Sequence, residues 1–211
     1  MAMPPPARER INPYLDQDAR HVVQQHLARY GLAASYVHAR RVLDVACGTG
    51  YGSAILAACG AVQVTAMDRQ RPSPPQIMRM DLAGDVRFLE CDLDATALDP
   101  LPGGTYDVAV CFETLEHLQH PRRFLRRLAH QARQLLVSVP WNERPGANPY
   151  HLHHWQPRGL SGELAQNGWL PVYAWKQVGA HARLLPLTVD ETLPSPCTGT
   201  VIFEARSRHL A

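Results

Sequence analysis

Three groups of residues along this chain carry types and spacings able to do chemistry. The first is Val42-Leu-Asp-Val-Ala-Cys-Gly-Thr-Gly-Tyr-Gly-Ser53, in which Asp44 sits in a β-rich run that ends at Gly48, Gly50 and Gly52. Glycines let a strand turn sharply into a helix and let the backbone approach a ligand closely. An acid at Asp44 would repel a phosphate and suits a ligand with positive charge. The spacing Gly48-x-Gly50-x-Gly52 also departs from the G-x-G-x-x-G of dinucleotide sites. The second group is Glu113, Glu116 and His117 at i, i+3 and i+4, which on a helix share one face and converge on a cation or a substrate hydroxyl. The third is Asn148-Pro-Tyr-His151-Leu-His153-His154-Trp155, with three imidazoles within four positions. Carboxylates with imidazoles suit Mg²⁺, Mn²⁺ or Zn²⁺, and such an ion would lower the pKa of a bound diol or catechol. In a metal-free site, His117, His151 or His153 is the candidate general base, because imidazole titrates near neutrality.

These groups need elements to hold them. Residues 1–15 are Pro-rich and polar and read as a mobile arm or lid, leaving 16–211 as one domain. Asp16 and Asp18 are credible N-caps for a first helix with Val22, Val23, Leu27, Tyr30 and Leu32 on one face. Strands are predicted at 41–46, 63–68, 86–90, 106–112, 135–139, 172–178 and 200–205, the fifth ended by Pro140. Helices are predicted at 53–59, 76–80, 121–132 and 160–167, and 180–196 reads as a long loop. Strands alternating with helices at these spacings argue for one open, mostly parallel α/β sheet of seven strands with helices on both faces.

Composition narrows the class. The 211 residues are 45% hydrophobic and 19% charged, enough apolar content to bury a core, which excludes disordered and fibrous proteins. Basic and acidic residues nearly cancel, for a formal charge of +2, so no global field argues for nucleic acid or a membrane surface. The first residues lack the apolar core of a secretion signal. The uncharged run 45–67 is broken by Gly48, Gly50, Gly52 and Gly60 and reads as strand, turn, helix and strand in a core, not as a membrane span. Five cysteines without a C-x-x-C pair read as free thiols in a reducing, cytoplasmic setting.

The glycine turn, with acids at the ends of the flanking strands, strongly resembles that of the class I S-adenosylmethionine-dependent methyltransferases, over about residues 20–205. The resemblance implies a Rossmann-like sheet whose last strand is antiparallel. It implies that Asp44, Gly48 and Gly50 hold the methionine part of the cofactor, and that Asp68, closing the second strand, binds both ribose hydroxyls. It implies further that Asp92 accepts from the adenine amine while the backbone of Leu93 contacts the ring. Phe112, closing the fourth strand, joins this cofactor set.

The segment from Tyr106 to Leu118 resembles the FDVVxxxEVxEHL segment of many small-molecule methyltransferases, and lacks the Asn/Asp-Pro-Pro-aromatic motif of enzymes that methylate exocyclic amines in nucleic acids. The E-x-x-E-H spacing of Glu113, Glu116 and His117 is similar to that of ubiquinone-pathway O-methyltransferases and small-RNA 3′-terminal ribose methyltransferases, in which it can bind a divalent metal. By that resemblance Glu113, Glu116, His117 and His151 are the metal candidates. The NPYHxHxW stretch more closely resembles sugar- and glycan-associated methyltransferases. The leading expectation is therefore methyl transfer to a small-molecule hydroxyl. A metal-assisted RNA 3′-terminal ribose 2′-O-methyltransferase and a non-catalytic cofactor-binding partner subunit are the alternatives. Arg122, Arg123, Arg126 and Arg127 recur on one predicted helix and read as a solvated face in preference to a phosphate-binding stripe. Trp141 and Trp155 bracket the acceptor loop. Oligomeric state stays open.

Overall fold

The computed structural model describes residues 20–70, 85–95, 104–179, 182–193 and 198–210. The proposed arm, the caps at Asp16 and Asp18, the helix at 76–80 and Cys197 lie outside them. Along the chain run α1 (Arg20–Ala34), β1 (Arg41–Val45), α2 (Tyr51–Ala58), β2 (Gln63–Asp68), β3 (Asp85–Glu90) and β4 (Tyr106–Phe112). A 3₁₀ turn (Leu115–His117), α3 (Pro121–Ala129), β5 (Ala132–Trp141), α4 (Pro157–Gln166), β6 (Trp169–Val178), β7 (Leu185–Pro186) and β8 (Gly199–Ser207) follow.

The strands form one sheet in the order β3-β2-β1-β4-β5-β8-β6-β7. β1 pairs in parallel with β2 and β4, β2 with β3, and β4 with β5. The last strand, β8, is antiparallel to both β5 and β6, as the resemblance implied. The order reverses at β1, which places the ends of β1, β2 and β4 around a topological switch point, where open α/β sheets bind ligands.

Side-chain alternation decides which residues face which layer. Leu43 and Val45 of β1 and Ala109 and Cys111 of β4 enter the core under α3 and α4. Val42 of β1 and Val108, Val110 and Phe112 of β4 enter the core under α1 and α2. Asp44 is in phase with Val42, so its carboxylate points toward α1 and α2. Central strands buried on both faces explain the near-continuous apolar runs of β1, β2 and β4.

Several expectations shift. The sheet has eight strands, not seven: Leu185 and Pro186, inside the expected 180–196 loop, pair with Lys176 and Trp175 at the far edge. Pro140 does not end β5, which runs on to Trp141. There β4 pairing has already stopped at Ser138 and only β8 lies alongside, so a residue without an N–H is tolerated. α3 stops at Ala129 and β5 starts at Ala132, three residues before the apolar run that marked it in sequence. The buried face of α1 carries Val23, Arg29, Tyr30 and Ala33, while Leu27 is exposed. No helix among the described residues is long and apolar enough to cross a membrane.

Candidate active site

The turn after β1 is built from backbone conformations that side chains resist. Gly48 has φ 58° and Gly50 φ 80°, the latter capping α2. A Cβ at Gly48 would meet nothing within 4 Å, so open space lies above it. Gly52 is small for a different reason: a Cβ there would lie 2.0 Å from the Tyr30 ring. The third glycine thus admits a helix-α1 side chain.

Tyr30 packs edge-on against Tyr51 and Phe112, at centroid distances of 5.4 and 5.3 Å. Its hydroxyl donates to Asp44 Oδ1 at 3.0 Å, and Ser53 Oγ donates to Asp44 Oδ2 at 2.5 Å. Burial pushes the Asp44 carboxyl up to about 6; these two hydrogen bonds hold it down and the nearby Asp68 charge adds to the rise. Burial and Asp44 together push the Tyr30 phenol well above its ordinary range, so it stays a donor.

Asp68 closes β2 beside this turn. Its Oδ2 accepts the Gly48 N–H at 2.9 Å and its Oδ1 the Gln70 N–H at 3.1 Å. Asp92 is exposed just after β3 and accepts the Asp94 N–H at 3.0 Å, while Leu93 is buried. Asp94 accepts the N–H groups of Gln119 and His120, both at 3.0 Å, which stitches the tail of β3 to the segment after β4. Asp44, Gly48, Gly50, Asp68, Asp92, Leu93 and Phe112 therefore line the ends of four neighbouring elements at the switch point.

The segment after β4 is not the α-helix that the i, i+3, i+4 spacing anticipated. Glu113 has φ 48°, and the chain makes a single 3₁₀ turn over Leu115–His117. Glu113 is drawn to β5: its N–H donates to the Ser138 carbonyl at 3.0 Å and its Oε1 accepts Ser138 Oγ at 2.7 Å. It therefore drops out of the expected four-residue cluster. Glu116, His117 and His151 do come together, with one ligand atom of each within 4.8 Å of the others. Glu116 is 1% exposed and, among the described residues, neither carboxylate oxygen has a hydrogen-bond partner. Burial, then the Glu113 charge, drives its carboxyl well above the usual range; Arg29 of α1, itself buried and donating to Gln177 at 2.7 Å, acts in the opposite sense.

The loop after β5 is clamped onto this turn by the Glu116 carbonyl, which accepts the N–H groups of Leu152 at 2.7 Å and His153 at 3.3 Å. That brings the His151 ring edge-on to His117 at 4.7 Å. His151 Nδ1 lies 2.5 Å from Glu143 Oε2, and its Nε2 lies 2.9 Å from Asn148 Nδ2. A carboxylate only accepts, so Nδ1 carries the proton and Nε2 holds the lone pair, here filled by the Asn148 amide. His153 is turned elsewhere. Its Nε2 meets the Leu118 carbonyl at 2.9 Å and its ring stacks near-parallel on Trp155. His154 reaches the rim of the same Glu143 at 3.5 Å.

Sequence spacing missed Arg29, Ser53, Ser138 and Glu143. Arg29 and Ser138 act across long chain separations, whereas Ser53, nine residues after Asp44, and Glu143, eight residues before His151, lie close enough in sequence to have left a local trace.

This arrangement defines a class: a Rossmann-like sheet with a glycine turn, acid-ended strands and a cluster of Glu116, His117 and His151 at the same end of the sheet. The methyltransferase-domain family matches residues 9–176, and the chain belongs to that family, of the S-adenosylmethionine-dependent class. A probable S-adenosylmethionine-dependent methyltransferase of Mycobacterium tuberculosis H37Rv is 33% identical over 173 residues, covering 78% of this chain and 61% of that protein. The chain thus spans under two thirds of that relative. A ubiquinone biosynthesis O-methyltransferase of Xanthomonas oryzae pv. oryzae is 35% identical over 124 residues, covering 53% of this chain and 50% of the relative. Among solved structures, magnesium protoporphyrin IX methyltransferase from Synechocystis with bound SAH superposes with TM-score 0.60 at 17% identity, covering 95% of this chain and 90% of the other. That likeness carries the fold.

Proposed function

We propose that the chain transfers a methyl group from S-adenosylmethionine to a hydroxyl oxygen of a small molecule, with His117 and His151 on the acceptor side. The observation that carries this reading is the His117–His151 pair beside the switch point, with Glu143 fixing the His151 tautomer. The M. tuberculosis relative and the ubiquinone-pathway relatives support the reaction class and oxygen as acceptor.

The turn fits the cofactor, because the space above Gly48 is what a closely approaching methionine moiety needs. Bound there, S-adenosylmethionine supplies a sulfonium methyl that is already a good electrophile. Gly48 and Gly50 present backbone, and the buried Asp44 supplies negative charge toward the positive end. Asp68, at the end of β2, accepts from two ribose hydroxyls. Asp92 accepts from the adenine amine, the Leu93 backbone contacts the ring, and Phe112 with Tyr30 closes the α1 side. His151 Nε2 takes the acceptor proton once that hydroxyl replaces the Asn148 amide. His153 keeps a supporting role, because its Nε2 is spent on a carbonyl. Alignment supplies most of the remaining rate.

A divalent metal is the second reading, favoured by the two buried, partnerless oxygens of Glu116. Glu116, His117 and His151 would hold Mg²⁺, Mn²⁺ or Zn²⁺, and the ion would supply positive charge at the acceptor hydroxyl. Glu143 on the far nitrogen of His151 is the outer partner that ligating histidines usually have. Cys47, Cys59, Cys91 and Cys111 are free thiols, which supports a cytoplasmic setting.

Labelled S-adenosylmethionine offered with a panel of hydroxyl-bearing metabolites tests both. Oxygen methylation that survives chelator and falls with His151→Ala supports the imidazole base. Loss in chelator, restored by Mn²⁺, moves the assignment to the metal. Cofactor binding without transfer to any acceptor would leave the non-catalytic partner role.

A further inference from the structure

Apart from the cluster of Glu116, His117 and His151, the described chain forms a half-open cavity of about 510 Å³ between α3, the loop before α4, and α4. Arg122, Arg123 and Arg126 of α3 line it, with His153 and Trp155 of the loop and Glu163 of α4. Three of the four arginines of the row that reads in sequence as a solvated face thus border one concave space. Glu163 is the single carboxylate in that lining, and Arg122 holds it with two bonds of 2.8 and 2.6 Å. Arg126 makes no hydrogen bond or ion pair among the described residues, so the lining keeps a net positive charge.

The same lining holds a pair of stacked aromatic rings. The His153 and Trp155 rings lie 5.4 Å apart at 24°, His153 is anchored on the Leu118 carbonyl, and Trp155 packs partly buried against the core. Leu125, buried beneath, adds an apolar floor. Guanidinium forks match phosphate oxygens in two-point contacts, and a stacked aromatic wall favours a flat ring. A volume of this size lies in the range of small-molecule pockets.

We propose that this cavity binds a small molecule carrying a phosphate group on a planar ring, the phosphate seated on Arg126 and Arg123 and the ring on Trp155 and Leu125. The site does not depend on the methyl-transfer reading, because its lining shares no residue with the Glu116, His117 and His151 cluster.

Titration calorimetry of the full chain with phenyl phosphate, cyclohexyl phosphate and inorganic phosphate tests it. Phenyl phosphate is expected to saturate one site, about fivefold or more tighter than cyclohexyl phosphate. Arg126→Glu is expected to weaken it about tenfold or more while S-adenosylmethionine affinity stays unchanged, which reports an intact fold. Trp155→Leu is expected to erase the preference for the flat ring. Because Trp155 supports the core, the surface variant Arg126→Glu carries the decision. Equal affinity of wild type and Arg126→Glu, equal affinity for the phenyl and cyclohexyl esters, or no saturation by about 10 mM would each overturn the proposal.

Discussion

The two halves of the switch point handle polar groups in opposite ways. On the cofactor side every buried acid is paired within the chain: Asp44 with Tyr30 and Ser53, Asp68 with the Gly48 and Gln70 amides. On the acceptor side Glu116 is buried with both oxygens unpartnered, and two imidazoles face each other beside it. A fully bonded network is rigid and preorganised, whereas an unpaired buried carboxylate costs stability unless something supplies charge or a proton. Under the proposed function, the contrast separates a fixed cradle from a side with reactive capacity.

The most damaging way to break the cradle is Gly50→Val. A β-branched side chain at φ 80° is forbidden ground, and the backbone there opens α2. Cofactor binding should be lost altogether; affinity within tenfold of wild type in a folded variant would mean the turn is only structural.

Next in size is the acceptor side. His151→Ala should lower kcat by about 10²–10⁴-fold. Glu143→Gln should cost less, on the order of tenfold in kcat with KM nearly unchanged, because it disturbs ring orientation and tautomer only. If both variants lose KM and keep kcat, the histidine binds the acceptor without moving its proton.

Asp68→Ala should weaken cofactor affinity on the order of tenfold to a hundredfold by removing the ribose acceptors. Asp68→Asn, which keeps one acceptor for the Gly48 N–H, separates loss of ribose contact from loosening of the turn. Calorimetry giving wild-type affinity for both would remove Asp68 from the cofactor set.

The smallest effect sharpens the comparison through pH. The folded-state value of Asp44, about 6, lies above its ordinary 3.8, so between these values the folded chain holds more protons than the unfolded one. Stability from this group is therefore fully present below about pH 4 and is lost as pH rises toward 6. Asp44→Asn should flatten that slope in denaturant titrations, with a difference at neutral pH on the order of 2 kcal/mol. Glu116→Gln, removing a buried partnerless carboxylate, should raise the melting temperature of the metal-free chain by a few degrees. A lower melting temperature would show that Glu116 has a stabilising partner.

Much of this protein was legible before any fold was known, because short apolar β-rich runs and glycine turns are local signals. The strands around the switch point, the glycines at 48 and 50, and the acids closing β1 and β2 follow from such signals. Pro140 misled for the same reason: as a local breaker it should end a strand, yet it sits where β5 has only one neighbour. Glu113 misled too, since a helical spacing fixes a shared face only if the segment is an α-helix, and a positive φ turned it toward Ser138 instead.

What the sequence by itself determined is the order of the elements, the mostly parallel sheet and the glycine turn after β1, each encoded by residues close together in the chain. Only the tertiary structure decided that Tyr30 closes over Gly52 onto Asp44, and that Glu143 orients His151. Nor could spacing tell that the Glu116 carbonyl draws His151 to His117 while His153 turns to Trp155. Those outcomes depend on backbone hydrogen bonds and packing between segments far apart in sequence, whose geometry exists only once the sheet has brought α1, the 3₁₀ turn and the β5 loop to the same end.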